Sequence, residues 1–261
     1  MSKKKQALLT ILETKAIYPV FQPIVDLQNG NVVAYESLSR IENKNIDINI
    51  EELFCLAEAY GCVWKLEKLC RDKALKASMN KPSGTKIFLN VDGQIFQDSN
   101  FISGFTNRKL EKFGLLNEDI VFEITERTDI ENYVLLQAIM NHYIDQGYQI
   151  ALDDVGAGYS GLNRVVNTTP NYLKADIELV RNIHLSKSKQ SMMKLLVEYC
   201  DEMGLKLIAE GIETQKELEC VCNLHVHYGQ GYYLGLPDCK FNGVSSQALQ
   251  YLMNIHGMIK T

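Results

Sequence analysis

The chain has 261 residues, 46% of them hydrophobic and 23% charged, with a formal net charge of −5 at pH 7. This composition is that of an ordinary globular protein, and the negative charge argues against a nucleic-acid polymer or a membrane surface as its general partner. The seven cysteines include no CxxC pair, the start of the chain does not read as a signal peptide, and no run is long enough for a membrane segment. We therefore expect a cytoplasmic protein with reduced thiols.

The N-terminal part of the sequence predicts a helix followed by a β-hairpin. A helix at about residues 4–15 precedes the apolar run YPVFQPIV, and Asn29-Gly30 then separates this run from VVAYESL. Asn-Gly between two β-rich runs is a strong hairpin signal. The first strand is therefore expected to be antiparallel to the second.

From there the chain alternates helices and strands. Asn49 with Glu52 predicts a capped helix start, and the T-x-x-E spacings that begin at Thr128 and Thr214 predict two more. The other predicted strands are KIFLNV, IVFEITE, YQIALDDV, YLKAD, LKLIAEGIE and YGQGYYLG. This alternation predicts an α/β fold, a (β/α)8 TIM-like barrel formed by a single domain at residues 1–261, with a C-terminal helix at about 244–259.

Polar side chains lie where the predicted strands end, which is where such barrels carry their active sites. Converging carboxylate and amide oxygens select a hard cation such as Mg²⁺ or Mn²⁺. Two such ions can activate a water molecule for phosphoryl transfer. The candidate ligands are Glu36, Asn90, Glu123, Asp153 and Asp154. The five histidines are expected to be structural or surface residues.

Each of these residues also has a simpler interpretation. Taken alone, Glu36 could be a surface charge, Asn90 a turn residue and Asp153-Asp154 a helix cap; their conjunction in one barrel favours the metal site. Lys174 at the end of YLKAD is expected to orient the attacking water or to neutralise developing charge, with a plain ion pair as its alternative. Glu213 more simply begins a helix. The glycine-rich DVGAGYSGLNRV is expected to be a lid or a phosphate-binding loop.

Eight motifs, in order and spacing, resemble the EAL-domain family of bacterial cyclic di-GMP-specific phosphodiesterases over about residues 17–238. They are FQPI, ESLSR, FLNV, EITE, DDVGAGYSG, LKAD, AEGIET and GQGYYLGLP. The chain departs from the family pattern at three positions. Ser37 replaces the usual alanine, Val155 replaces a phenylalanine of the glycine-rich loop, and Leu236 stands where many members have a basic residue. None of these departures removes an expected ligand.

The resemblance implies an enzyme that hydrolyses cyclic di-GMP to linear pGpG by in-line attack of a metal-bound hydroxide, which lowers the second-messenger level in bacterial signalling. It implies two Mg²⁺ or Mn²⁺ ions on the candidate ligands named above. Its other residue roles are catalysis by Lys174, Glu210 and Gln230, substrate binding by Gln22, Pro23, Leu38 and Arg40, and loop support by Glu126 and Asp176. Besides cyclic di-GMP, the partners it suggests are a second copy of the chain and a sensory or cyclase domain outside these residues.

Two alternatives stay open from the sequence. One is a catalytically weak binding module, which would sense cyclic di-GMP or dock another protein. The other is a different metal-dependent barrel enzyme, such as a lyase or an aldolase acting on a phosphorylated metabolite. The second explains the carboxylates, but it does not explain the order of the motifs.

Overall fold

Eight strands close into a barrel in chain order in the computed structural model, which describes residues 3–42, 48–98, 100–125, 133–156 and 160–255. For residues 94, 97, 133 and 160–162 only the backbone is described. The strands are β1 Ile17–Asp26, β2 Val32–Ile41, β3 Lys86–Val91, β4 Ile120–Ile124, β5 Gln149–Val155, β6 Tyr172–Ala175, β7 Lys206–Ala209 and β8 Tyr228–Gly229. The predicted α/β barrel is confirmed.

The first strand runs opposite to the other seven. β1 pairs antiparallel with β2 and with β8, whereas every other neighbouring pair is parallel. Gly30, with φ at +73°, allows the tight turn that the Asn-Gly sequence predicted. Because β1 runs back from the rim, Gln22 lies directly opposite Glu36 in the hairpin register.

Ten α-helices occur within the described residues. They are α1 Lys3–Thr14, α2 Ile50–Ala59, α3 Val63–Ala77, α4 Phe105–Phe113, α5 Tyr133–Ile144, α6 Ser160–Val166, α7 Ile177–Val180, α8 Lys187–Met203, α9 Gln215–Asn223 and α10 Ser246–Ile255. The caps predicted at Asn49 and Thr214 are present, while the one predicted at Thr128 lies outside the described residues. α10 covers the described part of the expected C-terminal helix. None of the described helices is long and apolar enough to cross a membrane.

Alternation along the strands explains why polar side chains gather at one rim. Successive residues of a strand point to opposite faces of the sheet. Phe88 and Val121 lie in the apolar layer inside the barrel, so Asn90 and Glu123, two residues further on, also point inward but nearer the rim. The inner layer consists of Ile24, Ala34, Phe88, Val121, Ala151, Tyr172 and Ile208. On six of the strands, the inner-layer residue is followed two positions later by a predicted site residue. On β1, which runs in the opposite direction, the order is reversed, and Ile24 follows Gln22 by two positions.

Candidate active site

A layer of polar side chains, here called the polar layer, lies at the rim directly above the apolar inner layer. Lys174 lies at its centre, with its side chain 1% exposed and four carboxylates around its ammonium group. Its Nζ is 2.6 Å from Glu210 Oε1, 2.7 Å from Glu123 Oε1, 3.4 Å from Glu36 Oε2 and 3.7 Å from Asp153 Oδ1. A single buried cation therefore faces several carboxylates, and the cluster carries excess negative charge.

Glu36 is held more completely than the other carboxylates. Its Oε1 accepts a hydrogen bond from Asn90 Nδ2 at 2.9 Å, and its Oε2 accepts one from Gln230 Nε2 at 2.6 Å. Gln230 Nε2 also contacts Gln22 Oε1 at 3.2 Å, and Gln22 in turn donates to the Gly235 carbonyl. These contacts link β1, β2, β3 and the segment after β8, so the position of Glu36 is fixed from several sides.

The carboxyl groups of the cluster differ in pKa. Burial by itself raises the pKa of Glu36, but the charge of Lys174 and the hydrogen bonds from Gln230 and Asn90 outweigh burial and leave it below its ordinary value. Burial, reinforced by the charge of Glu36, raises the pKa of Glu123 well above its ordinary value although Lys174 opposes this. Burial also raises the pKa of Glu210 well above its ordinary value, again against Lys174. Burial lowers the pKa of Lys174, but the carboxylates, Glu123 first, raise it well above its ordinary value.

The residues at the rim fit a hard divalent cation. Oxygens of Glu36, Glu123 and Glu210 lie within 4.8 Å of one another, and so do oxygens of Asp153, Asp154 and Glu210. Glu123 Oε2 is buried and has no hydrogen-bond partner among the described residues. A buried carboxylate oxygen without a partner is costly, and an ion bound there would satisfy it. The all-oxygen donor set is of the kind that suits Mg²⁺ or Mn²⁺.

Metal affinity should rise with pH, because the raised pKa values of Glu123 and Glu210 mean that they hold protons where an ordinary carboxyl group has lost them. An ion must displace these protons when it binds. At pH values below the pKa, the Kd for Mn²⁺ should therefore fall about tenfold for each unit of pH increase and for each proton that is displaced. Titration of Mn²⁺ followed by electron paramagnetic resonance at several pH values measures the slope. Glu210→Gln should reduce the dependence of the Kd on pH, whereas Glu118→Gln, at an exposed position just before β4, should not change it. A Kd independent of pH would contradict the expectation.

A cavity of about 360 Å³ opens beside the polar layer. It is bounded on one side by Glu36, Asn90, Asp153 and Asp154, and it extends towards α2 and α3. Of the predicted substrate residues, Leu38 and Arg40 also line it, and Arg40 Nη1 donates to the Ser39 carbonyl at 2.9 Å.

The other two predicted substrate residues are placed differently. Gln22 and Pro23 are buried within the barrel wall, and among the described residues neither of them lines this cavity. Pro23 packs so closely on Gly235 that a Cβ at Gly235 would lie 2.4 Å from Pro23 Cγ. The structure therefore brings Gln22 to the polar layer through Gln230 and gives Pro23 a packing contact.

The predicted loop-support residues are described only in part. Glu126 lies outside the described residues, as do 157–159 of the glycine-rich loop. Asp176 caps α7 by accepting from Glu178 N at 2.8 Å, and its own backbone N donates to the Val155 carbonyl at 3.2 Å. Glu213 is exposed, and its backbone N donates to Glu217.

The sequence reasoning missed several buried charged residues, among them Glu67 and Arg71, and it missed the carboxylate contacts of Glu217. Glu67 and Arg71, at i and i+4 on α3, form a buried ion pair beside the cavity. Glu217 belongs to the predicted capping box, but its carboxylate also accepts from the backbone of Asn182 and so ties the loop after β7 to the one after α7. The spacing of Glu67 and Arg71 was a signal for a helical ion pair, but nothing in the sequence showed that the pair would be buried.

Comparison with known proteins agrees with this architecture. The EAL domain, as a sequence family, matches residues 5–237. The chain is 26% identical over 226 residues to the probable cyclic di-GMP phosphodiesterase PdeG of Escherichia coli, and the alignment covers 85% of this chain and 44% of PdeG. It is 27% identical over 240 residues to the cyclic di-GMP phosphodiesterase PdeL of the same organism, covering 89% of this chain and 65% of PdeL.

A solved structure extends the likeness to the fold. A standalone EAL protein from Vibrio cholerae O395, determined in a c-di-GMP-bound form, is 27% identical and superposes with a TM-score of 0.75. The match covers 89% of this chain and 97% of that one. The chain thus spans less than two thirds of the two E. coli relatives but nearly all of the Vibrio protein. With the family match across most of its length, this chain belongs to the EAL domain family.

Proposed function

We propose that this chain is a metal-dependent phosphodiesterase that hydrolyses cyclic di-GMP to linear pGpG. The observation that carries the proposal is the set of carboxylates converging on Lys174 at the strand ends, with one buried oxygen of Glu123 left without a partner among the described residues. The choice of substrate is supported by the two E. coli relatives, one named a probable cyclic di-GMP phosphodiesterase and the other a cyclic di-GMP phosphodiesterase.

The candidate ligands divide into two groups. Glu36, Asn90, Glu123 and Asp153 would hold one ion, and Asp154 with Glu210 would help hold a second. Glu210 has oxygens in both clusters of carboxylates, and Asp153 shares its cluster with Asp154, so the two ions would lie side by side. When bound, the ions would lower the pKa of a water molecule and neutralise charge on the scissile phosphate. This explains how an acidic rim could accept an anionic nucleotide.

The remaining residues would act on the water and on the substrate. Burial makes Glu210 retain a proton in the metal-free site; once a bound ion has displaced it, the free carboxylate would take the proton of the attacking water. Lys174 would hold Glu123 and Glu210 in place and stabilise negative charge that develops on the phosphoryl oxygens. The water oxygen would attack phosphorus in line with the 3′ oxygen of the ribose; the bond between phosphorus and that oxygen breaks, and the oxygen leaves as a hydroxyl after taking a proton from the site or from solvent. Arg40, on the cavity wall, would bind a phosphate of the substrate.

The proposal is tested by incubating purified protein with cyclic di-GMP and either Mg²⁺ or Mn²⁺ and separating the products by chromatography. We expect pGpG as the first product, none after chelation of the metal, and full recovery when the ion is restored. Absence of pGpG with both ions, in folded protein that still binds cyclic di-GMP, would show a binding module instead. Hydrolysis or cleavage of a small sugar phosphate, with none of cyclic di-GMP, would indicate a different barrel enzyme.

A further inference from the structure

Glu67 and Arg71 form a buried ion pair at the edge of the cavity. Their side chains are both 4% exposed, and the Glu67 carboxylate accepts a hydrogen bond from Arg71 Nη2. Burial of such a pair costs free energy, and apolar residues of similar size are often as stable or more stable at such positions. Stability alone therefore gives no reason for the pair.

Arg71 is fixed from the side away from the cavity. Its Nη1 donates to Thr106 Oγ1 at 3.1 Å and its Nη2 to Tyr143 Oη at 3.3 Å. Its guanidinium carbon lies 4.8 Å from the ring centroid of Phe122, within the range of a cation–π contact. Contacts to α4, α5 and β4 thus hold the guanidinium rigidly, and the guanidinium holds Glu67.

The other oxygen of Glu67 contacts the chain just after β3. Glu67 Oε2 accepts a hydrogen bond from the backbone N of Asp92 at 3.1 Å. Asp92 follows Asn90 by two residues, and Asn90 Nδ2 donates to Glu36 Oε1. The intervening Val91 carbonyl accepts from Thr125 N at 3.3 Å. The segment that carries Asn90 is therefore fixed to β4 on one side and to α3, through Glu67, on the other.

We propose that Glu67 is a positioning residue: by accepting the hydrogen bond from Asp92 N it fixes the segment after β3 and with it the metal-binding geometry of Asn90. The inference rests on the proposed function, because it takes Asn90 as a metal ligand. Residues that orient metal ligands typically contribute 10- to 100-fold to metal affinity. Glu67 acts through the backbone of Asp92 and touches no expected ligand directly.

Two double variants separate positioning from stability. Glu67→Leu/Arg71→Met removes both charges and the acceptor for the Asp92 N–H, whereas Glu67→Gln/Arg71→Met removes the charges but keeps an acceptor. We expect the Kd for Mn²⁺, measured by electron paramagnetic resonance, to rise about tenfold or more in the leucine variant and to stay within about threefold of wild type in the glutamine variant. Amide hydrogen exchange at Asp92 should accelerate in the leucine variant only.

Thr106→Val is the matched control. It removes a hydrogen bond of Arg71 on the side away from the cavity, so the melting temperature should fall while the Kd for Mn²⁺ stays unchanged. An unchanged Kd in the leucine variant would overturn the proposal, as would an equal rise in both double variants. A higher KM for cyclic di-GMP with an unchanged Kd for Mn²⁺ would also overturn it, because Glu67 would then contact substrate.

A measurement on the wild-type protein needs no variant to fold. The Asp92 amide should exchange as slowly as amides within β3, since Glu67 shields it; exchange as fast as in an exposed loop would overturn the proposal. Cyclic di-GMP hydrolysis by the wild type tests the proposed function separately. Hydrolysis that is equally fast in wild type and in both double variants, at a Mn²⁺ concentration near the wild-type Kd, contradicts the role of Glu67 alone.

Discussion

Replacing Glu36 with glutamine should lower kcat for cyclic di-GMP hydrolysis at least about 100-fold. Removal of a residue that only orients a metal ligand typically costs 10- to 100-fold, so the loss of a direct carboxylate ligand should cost at least the upper value. Glutamine has nearly the same shape as glutamate and can still accept the hydrogen bond from Asn90 that Glu36 accepts. The fold should therefore persist, while a bound ion would be poorly positioned for catalysis.

The matched control for this change is Glu118→Gln, which makes the same substitution on an exposed residue at the opposite end of the barrel. It should leave kcat and KM as they are in the wild type. The readout is steady-state kinetics with Mn²⁺ held well above its Kd for each variant, together with the melting temperature. A Glu36→Gln variant with more than about one tenth of the wild-type kcat would remove Glu36 from the set of ligands.

Replacing Lys174 with methionine should have two effects that oppose each other when metal is added. Lys174 is the one cation, among the described residues, placed at hydrogen-bonding distance from both Glu123 and Glu210. Its loss leaves buried carboxylates unneutralised, which should destabilise the metal-free protein by about 3 kcal/mol. A divalent ion can replace the missing charge, so Mn²⁺ should raise the melting temperature of the variant more than that of the wild type.

The activity of the Lys174→Met variant should not recover with the stability. If the ammonium group stabilises negative charge on the phosphoryl oxygens in the transition state, kcat should stay at least about 100-fold below wild type even with saturating Mn²⁺. Thermal unfolding and steady-state kinetics over the same range of Mn²⁺ concentrations separate the two effects. Full recovery of kcat with Mn²⁺ would show that Lys174 serves only to neutralise the metal-free cluster.

Much of the site could be predicted because it depends on local pattern. Along a strand, residues two positions apart lie on the same face of the sheet. Asn90, two positions after the inward-facing Phe88, must therefore also face the inside of the barrel. The Asn29-Gly30 turn similarly determines the direction of β1 relative to β2 through two adjacent residues. These features need only the period of a strand and the chemistry of a turn, and both can be read from a single sequence.

Features that depend on contacts between distant elements could not be predicted in this way. The sequence shows that Lys174 lies near carboxylates, but only the closed barrel shows that the four groups surround it from β2, β4, β5 and the end of β7. The strand predicted from YGQGYYLG ends at Gly229, although Gln230 N still donates to the Ala209 carbonyl. The contact between Glu67 and Asp92 joins a helix to a strand end, and no local pattern encodes it.

In the proposed mechanism, the strand-end residues of this barrel hold the catalytic ions. Anomalous diffraction from crystals soaked in Mn²⁺ tests it most directly, because Mn²⁺ is located by its own scattering. The account predicts a peak within coordination distance of Glu36, Asn90, Glu123 and Asp153, roughly 2.0–2.6 Å from their oxygens. An Mn²⁺ peak bound elsewhere in crystals of active protein, with no peak near these four residues, would contradict it.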